Sequence, residues 1–148
     1  MRIEHTVEID RPVDEVFAFM ANMENLPTWA ENTVQAEQTS AGPVGEGTTC
    51  RVVNRAMGQR LDHRFVVTEY EPNRRYAARS TAGPFPMALS YTVESAGDGT
   101  RLHVVSEAEP GGIMKLAGPM ITRMARNQIA SDYANLKRLL ESRSGANG

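Results

Sequence analysis

Residues 113–141 read IMKLAGPMITRMARNQIASDYANLKRLLE, and this stretch decides the fold. Ile113, Ala117, Met120, Ile121, Met124, Ile129, Tyr133, Leu136 and Leu140 recur at helical spacing, with Lys115, Arg123, Arg126, Lys137 and Arg138 mostly between them. The pattern predicts a long amphipathic helix that ends the ordered chain. Pro119 inside it removes one backbone hydrogen bond and is expected to bend or delay the helix there.

A helix with one apolar stripe needs an apolar surface to cover, and the preceding sequence supplies a sheet. Ile3, His5, Val7 and Ile9 alternate with Arg2, Glu4, Thr6 and Glu8, the signature of a half-buried strand over 2–9. Asp10-Arg11-Pro12-Val13-Asp14-Glu15 follows, where an Asp cap, an early proline and two acids favour a helix start; Val13, Val16, Phe17 and Met20 form its stripe. A second short helical piece lies within 22–32, around Leu26-Pro27-Thr28-Trp29.

From Val34 the period returns to two, punctuated by Gly42-Pro43, Gly45 to Gly47, Gly58, Pro72-Asn73 and Gly97-Asp98-Gly99. Strands are predicted over 34–39, 47–55, 60–70, 75–82, 87–95 and 100–109. Leu61, His63, Phe65 and Val67 share one face, as do Met87, Leu89, Tyr91 and Val93, and Leu102, Val104 and Ser106. Asp62, Arg64, Ser90, Thr92, Glu94 and Arg101 occupy the opposite face, so the sheet has a wet side and a buried side. The predicted class is α+β: a seven-stranded curved antiparallel sheet, two short helices and a long C-terminal helix. One domain is expected over 1–143, with a frayed, disordered tail over 144–148.

Composition narrows the function. With 16 basic and 18 acidic residues the formal charge is −2, which offers no broad cationic field for nucleic acid. No apolar run approaches the roughly 20 residues of a membrane span, and the charged start is unlike a secretory signal, so no integral membrane association is expected. The single cysteine, Cys50, permits no internal disulfide and gives no metal-ligand spacing; a cytoplasmic location is the simplest expectation. No cofactor or metal motif occurs, and no Ser/His/Asp arrangement or phosphate loop. Oligomeric state is left at monomer or homodimer.

The element order resembles the START-like, Bet v 1-like helix-grip fold. Ile9-Asp10-Arg11-Pro12-Val13-Asp14-Glu15-Val16-Phe17, Leu26-Pro27-Thr28-Trp29, Gly45-Glu46-Gly47-Thr48 and Asn135-Leu136-Lys137 resemble the polyketide cyclase/dehydrase branch of the SRPBCC superfamily. The resemblance implies a helix gripping the sheet over a hydrophobic cavity that binds polyketides, sterols, lipids, quinones or hormones, with cyclisation or dehydration in some members. It also implies an arginine in the cavity of the enzymatic members. Here Arg51, Arg64 and Arg79 all fall on outward faces. An empty apolar void of ~300 Å³, at about 24 cal/mol per Å³, would cost on the order of 7 kcal/mol. Such a cavity is therefore small, wet, collapsible or filled.

The leading expectation is binding of a hydrophobic or aromatic small molecule, polyketide-, lipid- or sterol-like, between sheet and helix. Eight methionines suit an adaptable apolar lining, and Met87, Met114, Met120 and Met124 join Phe17, Phe65 and Leu89 as ligand contacts or as plain core. Trp29 reads as a core plug or as a wall that stacks on a flat ligand. Phe85, in Gly83-Pro84-Phe85-Pro86, and Met57 are expected at the entrance. The first alternative is a cyclase or dehydratase in which His63 carries a proton and Tyr91 or Tyr76 orients an oxygen; a hydrogen-bonded core histidine is the plainer reading of His63. His5 reads as structural and His103 as outward. The second alternative is a protein-interaction adaptor with a vestigial pocket.

Overall fold

The structure is a computed structural model that describes residues 1–56, 58–109 and 118–143. Seven strands form one sheet: β1 Arg2–Ile9, β2 Thr33–Gln38, β3 Thr49–Ala56, β4 Gln59–Glu71, β5 Arg75–Ala82, β6 Met87–Ala96 and β7 Gly99–Ala108. Helix α1 (Val13–Ala21) and a 3-10 helix (Met23–Thr28) lie between β1 and β2, and α2 (Gly118–Ser142) closes the fold. The spans expected from period-two patterning hold to within two residues at each end.

The strand order is β1-β7-β6-β5-β4-β3-β2, with every neighbouring pair antiparallel. Tight turns explain most of that order. Gly97 has φ +62° in the two-residue turn joining β6 to β7, a conformation that costs glycine no steric penalty. Curvature has its own source. The β4–β5 register slips between Arg64 and Phe65 and again between Val67 and Glu69, and such bulges bend a strand and increase its twist.

The inner face carries Ile9, Val52, Phe65, Val67, Tyr76, Tyr91, Leu102 and Val104, all buried. On the outer face Arg51 donates to Asp62 at 2.7 Å, Arg101 to Glu94 at 3.0 Å and to Glu8 at 3.1 Å, while His103 Nε2 lies 3.1 Å from Glu4. These exposed pairs contribute little each, but they keep the outer face polar.

One local expectation is corrected. Asp10 does not cap α1: the residue before the helix is Pro12, in extended conformation, and no side chain caps the first turn. The Pro12 carbonyl accepts instead from the amides of Glu15 and Val16, each at 3.1 Å, while Arg11 Nε donates to Glu15 at 2.9 Å. The Asp10 amide serves the other helix, donating to Glu141 Oε2 at 2.8 Å. Pro119 is the second described residue of α2. The stretch expected as helix over 113–117, and the tail over 144–148, lie outside the described residues.

Candidate functional site

The two halves of α2 meet the sheet differently. At the C-terminal end Leu136 and Leu140 are fully buried, and Tyr133 packs on Trp29 with ring centroids 4.9 Å apart. Polar ties fix the same end: Lys137 Nζ donates to the Glu8 carbonyl at 2.7 Å, and Asp132 Oδ1 accepts from the Glu31 amide at 3.1 Å. At the N-terminal end Met120 and Met124 are 68% and 53% exposed, so this half is not pressed into a core.

A cavity of about 280 Å³ lies beneath that loosely seated half. From α2 come Ile121, Met124, Ala125 and Gln128; from the strands Ala56, Gln59, Leu61 and Ala108; Asn32 and Phe85 complete it from loops, with Met1 at one side. Three of the lining residues are alanines on facing elements, which leaves open the space that larger side chains would occupy. The rim reaches solvent at Gln59 and Met124, both exposed.

His63 adjoins this wall. It lies on β4 two residues beyond Leu61 and on the same face, and it is 1% exposed. Its Nε2 is 3.0 Å from the Phe85 carbonyl oxygen, and its ring meets Phe85 edge-on at 5.0 Å and Phe65 at 5.8 Å. Nδ1 is buried and has no hydrogen-bond partner among the described residues. Gly83, with φ +146°, lies so close that a Cβ there would come 2.4 Å from His63 Cδ2. Glycine is therefore required for this loop to close over the imidazole.

The two candidate tyrosines form a separate group. Tyr76 and Tyr91 are register partners whose rings stack with centroids 4.8 Å apart. Their hydroxyls are also buried without a partner among the described residues. Burial pushes both phenols above their ordinary pKa, with smaller contributions at Tyr76 from Cys50 and Tyr70 and at Tyr91 chiefly from Tyr76. Tyr76 pairs in register with Tyr70, seven residues along β4 from His63. At about 3.3 Å per residue the two backbones are roughly 20 Å apart along the strand.

Of the residues expected to contact a ligand, Phe85 and Met124 line the cavity. Phe17 is buried in α1 against Tyr70 and Tyr91, Trp29 packs on Tyr133, and Phe65 lies beside His63. Met87 and Leu89 are half-buried against the core, and Met120 faces solvent. Met57 and Met114 lie outside the described residues. Sequence reasoning left Ala125, Gln128 and Asn32 out of the site. Ala125 was detectable four residues after Ile121, on one face of the helix; Asn32 carries no such periodic signal. Arg51, Arg64 and Arg79 all belong to the outer face, and none lines the cavity. Among the described residues no three His, Cys, Asp or Glu side chains gather as a metal site, and no helix is long and apolar enough to cross a membrane.

A curved antiparallel sheet gripping one long helix, with an apolar hollow left under part of that helix, defines a helix-grip protein of the START/Bet v 1 kind. The comparison with known families makes this specific: the profile described as polyketide cyclase/dehydrase and lipid transport matches residues 1–141, and the chain belongs to that family. No curated protein matches it in sequence. Among solved structures it is similar to a protein from Thermus thermophilus, with TM-score 0.82 and 18% identity over 93% of this chain and 95% of that one. The Zhui aromatase/cyclase from Streptomyces sp. R1128 is similar to the same degree, with TM-score 0.82 and 18% identity over 100% and 98% of the two chains. A START superfamily protein from Mycobacterium smegmatis gives TM-score 0.71 and 17% identity over 99% of both. At these identities the likeness speaks to fold alone.

Proposed function

We propose that the protein binds a hydrophobic or aromatic small molecule in the cavity between the sheet and the N-terminal half of α2. The observation that carries this reading is the 280 Å³ hollow itself, with Leu61, Phe85, Ile121 and Met124 facing it. Burying apolar guest surface there gains about 25 cal/mol per Å², while the exposed flank of α2 offers a way in. The family's description, which includes polyketide cyclases and lipid transport, supports a guest of that chemistry.

The test is to fill the hollow from a position that faces it. Ala125→Trp places an indole in the cavity, and a folded variant is expected to lose uptake of apolar probes such as 1-anilinonaphthalene-8-sulfonate, followed by fluorescence titration. Unchanged uptake by a variant with native circular dichroism would place the binding elsewhere or remove it.

Turnover of the guest by a cyclase or dehydratase is the second reading. The unpartnered Nδ1 of His63, two residues from Leu61 of the cavity wall, favours it, because a buried imidazole beside the hollow can carry a proton, while Tyr76 and Tyr91 lie too far along the sheet to share the same guest. In that reading His63→Gln abolishes turnover of the substrate and leaves the fold intact.

A further inference from the structure

We infer that the hollow selects for a short guest, on the order of ten carbons, and that Ile121 and Ala125 set the limit. This rests on the ligand-binding reading above and specifies the size of the guest. Two measures of the cavity agree. At the packing density of a protein interior a methylene takes up on the order of 25 Å³, so 280 Å³ holds about eleven of them. Along α2 the lining runs from Ile121 to Gln128, about 10 Å of helix at about 1.5 Å per residue, and an extended chain advancing about 1.3 Å per carbon covers that length with about eight.

The walls do not let the space lengthen. Toward the C-terminal half of α2, Gln128 Nε2 donates to Asp132 at 2.8 Å and to Glu31 at 3.3 Å, and the packed rings of Trp29 and Tyr133 stand behind that tie. Toward the sheet interior, His63 Nε2 lies 3.0 Å from the Phe85 carbonyl oxygen, and Val52, His63 and Phe65 are buried, so the space ends at Leu61 and Phe85. The open side is the rim at Gln59 and Met124, both exposed. Methylenes beyond the limit stay in water there and add little. A decyl chain or two fused rings fill the hollow, whereas a sterol or a hexadecyl chain does not enter whole.

Ile121 and Ala125 face this space four residues apart, on one side of the helix. Leucine in place of Ala125 adds three carbons to the wall, and alanine in place of Ile121 removes three. The two substitutions move the limit in opposite directions.

Saturated fatty acids from hexanoate to hexadecanoate, titrated by calorimetry into the whole protein below their micellar concentrations, test this. One head group serves throughout, so differences report the tail alone. Affinity is expected to rise about fourfold per methylene up to about ten carbons, the gain for burying one methylene, and to level off beyond. The break is expected about three carbons earlier in Ala125→Leu and about three later in Ile121→Ala. A variant that merely loosens the fold weakens all lengths alike and leaves the break in place, and either variant suffices should the other fail to fold. Affinity that climbs steadily to hexadecanoate, or a break that no folded variant moves, overturns the size limit and leaves the cavity as a binding site. Binding of none of the acids overturns both.

Discussion

Tyr76 and Tyr91 lie face to face, ring planes 9° from parallel, and neither buried hydroxyl has a hydrogen-bond partner among the described residues. Removing such a hydroxyl while keeping the ring deletes a desolvation penalty without losing a bond. Tyr76→Phe is therefore expected to raise the unfolding free energy by about 1 kcal/mol in urea titrations. A loss of stability would show that the hydroxyl is matched in solution.

The same burial fixes the response to alkali. A phenol whose pKa is raised in the folded state holds its proton more tightly there than in the unfolded chain. Its stabilisation is complete below the ordinary tyrosine value and is lost as pH climbs through the raised one. The melting temperature is expected to fall above about pH 10, and to fall less steeply in the Tyr76→Phe, Tyr91→Phe double variant.

Gly83→Ala tests the loop over His63. With φ at +146° and a Cβ 2.4 Å from the imidazole, alanine is strained by both backbone and contact. A loss of about 1–3 kcal/mol in unfolding free energy is expected from the backbone alone. A variant as stable as the native protein would mean that this loop is not closed on His63.

Trp29 is the only tryptophan, is 6% exposed, and packs on Tyr133 of α2. Its emission should be that of an apolar site and shift to the red on unfolding. Trp29→Ala is expected to cost about 3–5 kcal/mol, as large-to-small changes in a core do.

Glu141 predicts the behaviour in acid. Its side chain accepts from Lys137 Nζ at 2.6 Å and from the Asp10 amide at 2.8 Å, and these bonds hold its carboxyl below the ordinary range. A depressed pKa gives stabilisation that is present above the unfolded value and lost as pH falls through the folded one. The protection factor of the Asp10 amide against hydrogen exchange should fall below about pH 4, and already be low at neutral pH in Glu141→Ala.

Period-two and helical spacing made the strands and the closing helix legible, because both depend on which side chains face water. What escaped depends on local register and on size. Tyr70 packs against the core although alternation from Leu61 to Val67 assigns its position to the wet face; the slip between Val67 and Glu69 reverses the parity, and no residue in that stretch announces it. Large apolar residues were the natural candidates for a binding site, yet Phe17 and Phe65 fill the core. The hollow owes its volume to Ala56, Ala108 and Ala125, and a small side chain leaves no mark in a hydrophobic pattern. His63 was readable as inward; its bare nitrogen became visible only with the Phe85 carbonyl in place.

The strand order carries a consequence for how the chain assembles. β1 pairs with β7 from Arg2 opposite Glu107 to Ile9 opposite Thr100, so the first strand made has to wait for the last. Loop-closure entropy must be overcome before that pairing gives any return, and topologies dominated by such distant partners fold slowly. The hairpins from β2 to β7 can zip in turn as each emerges. The opening segment is left as an unpaired ribbon until the final strand arrives, and during that interval it is the part of the nascent chain most in need of protection.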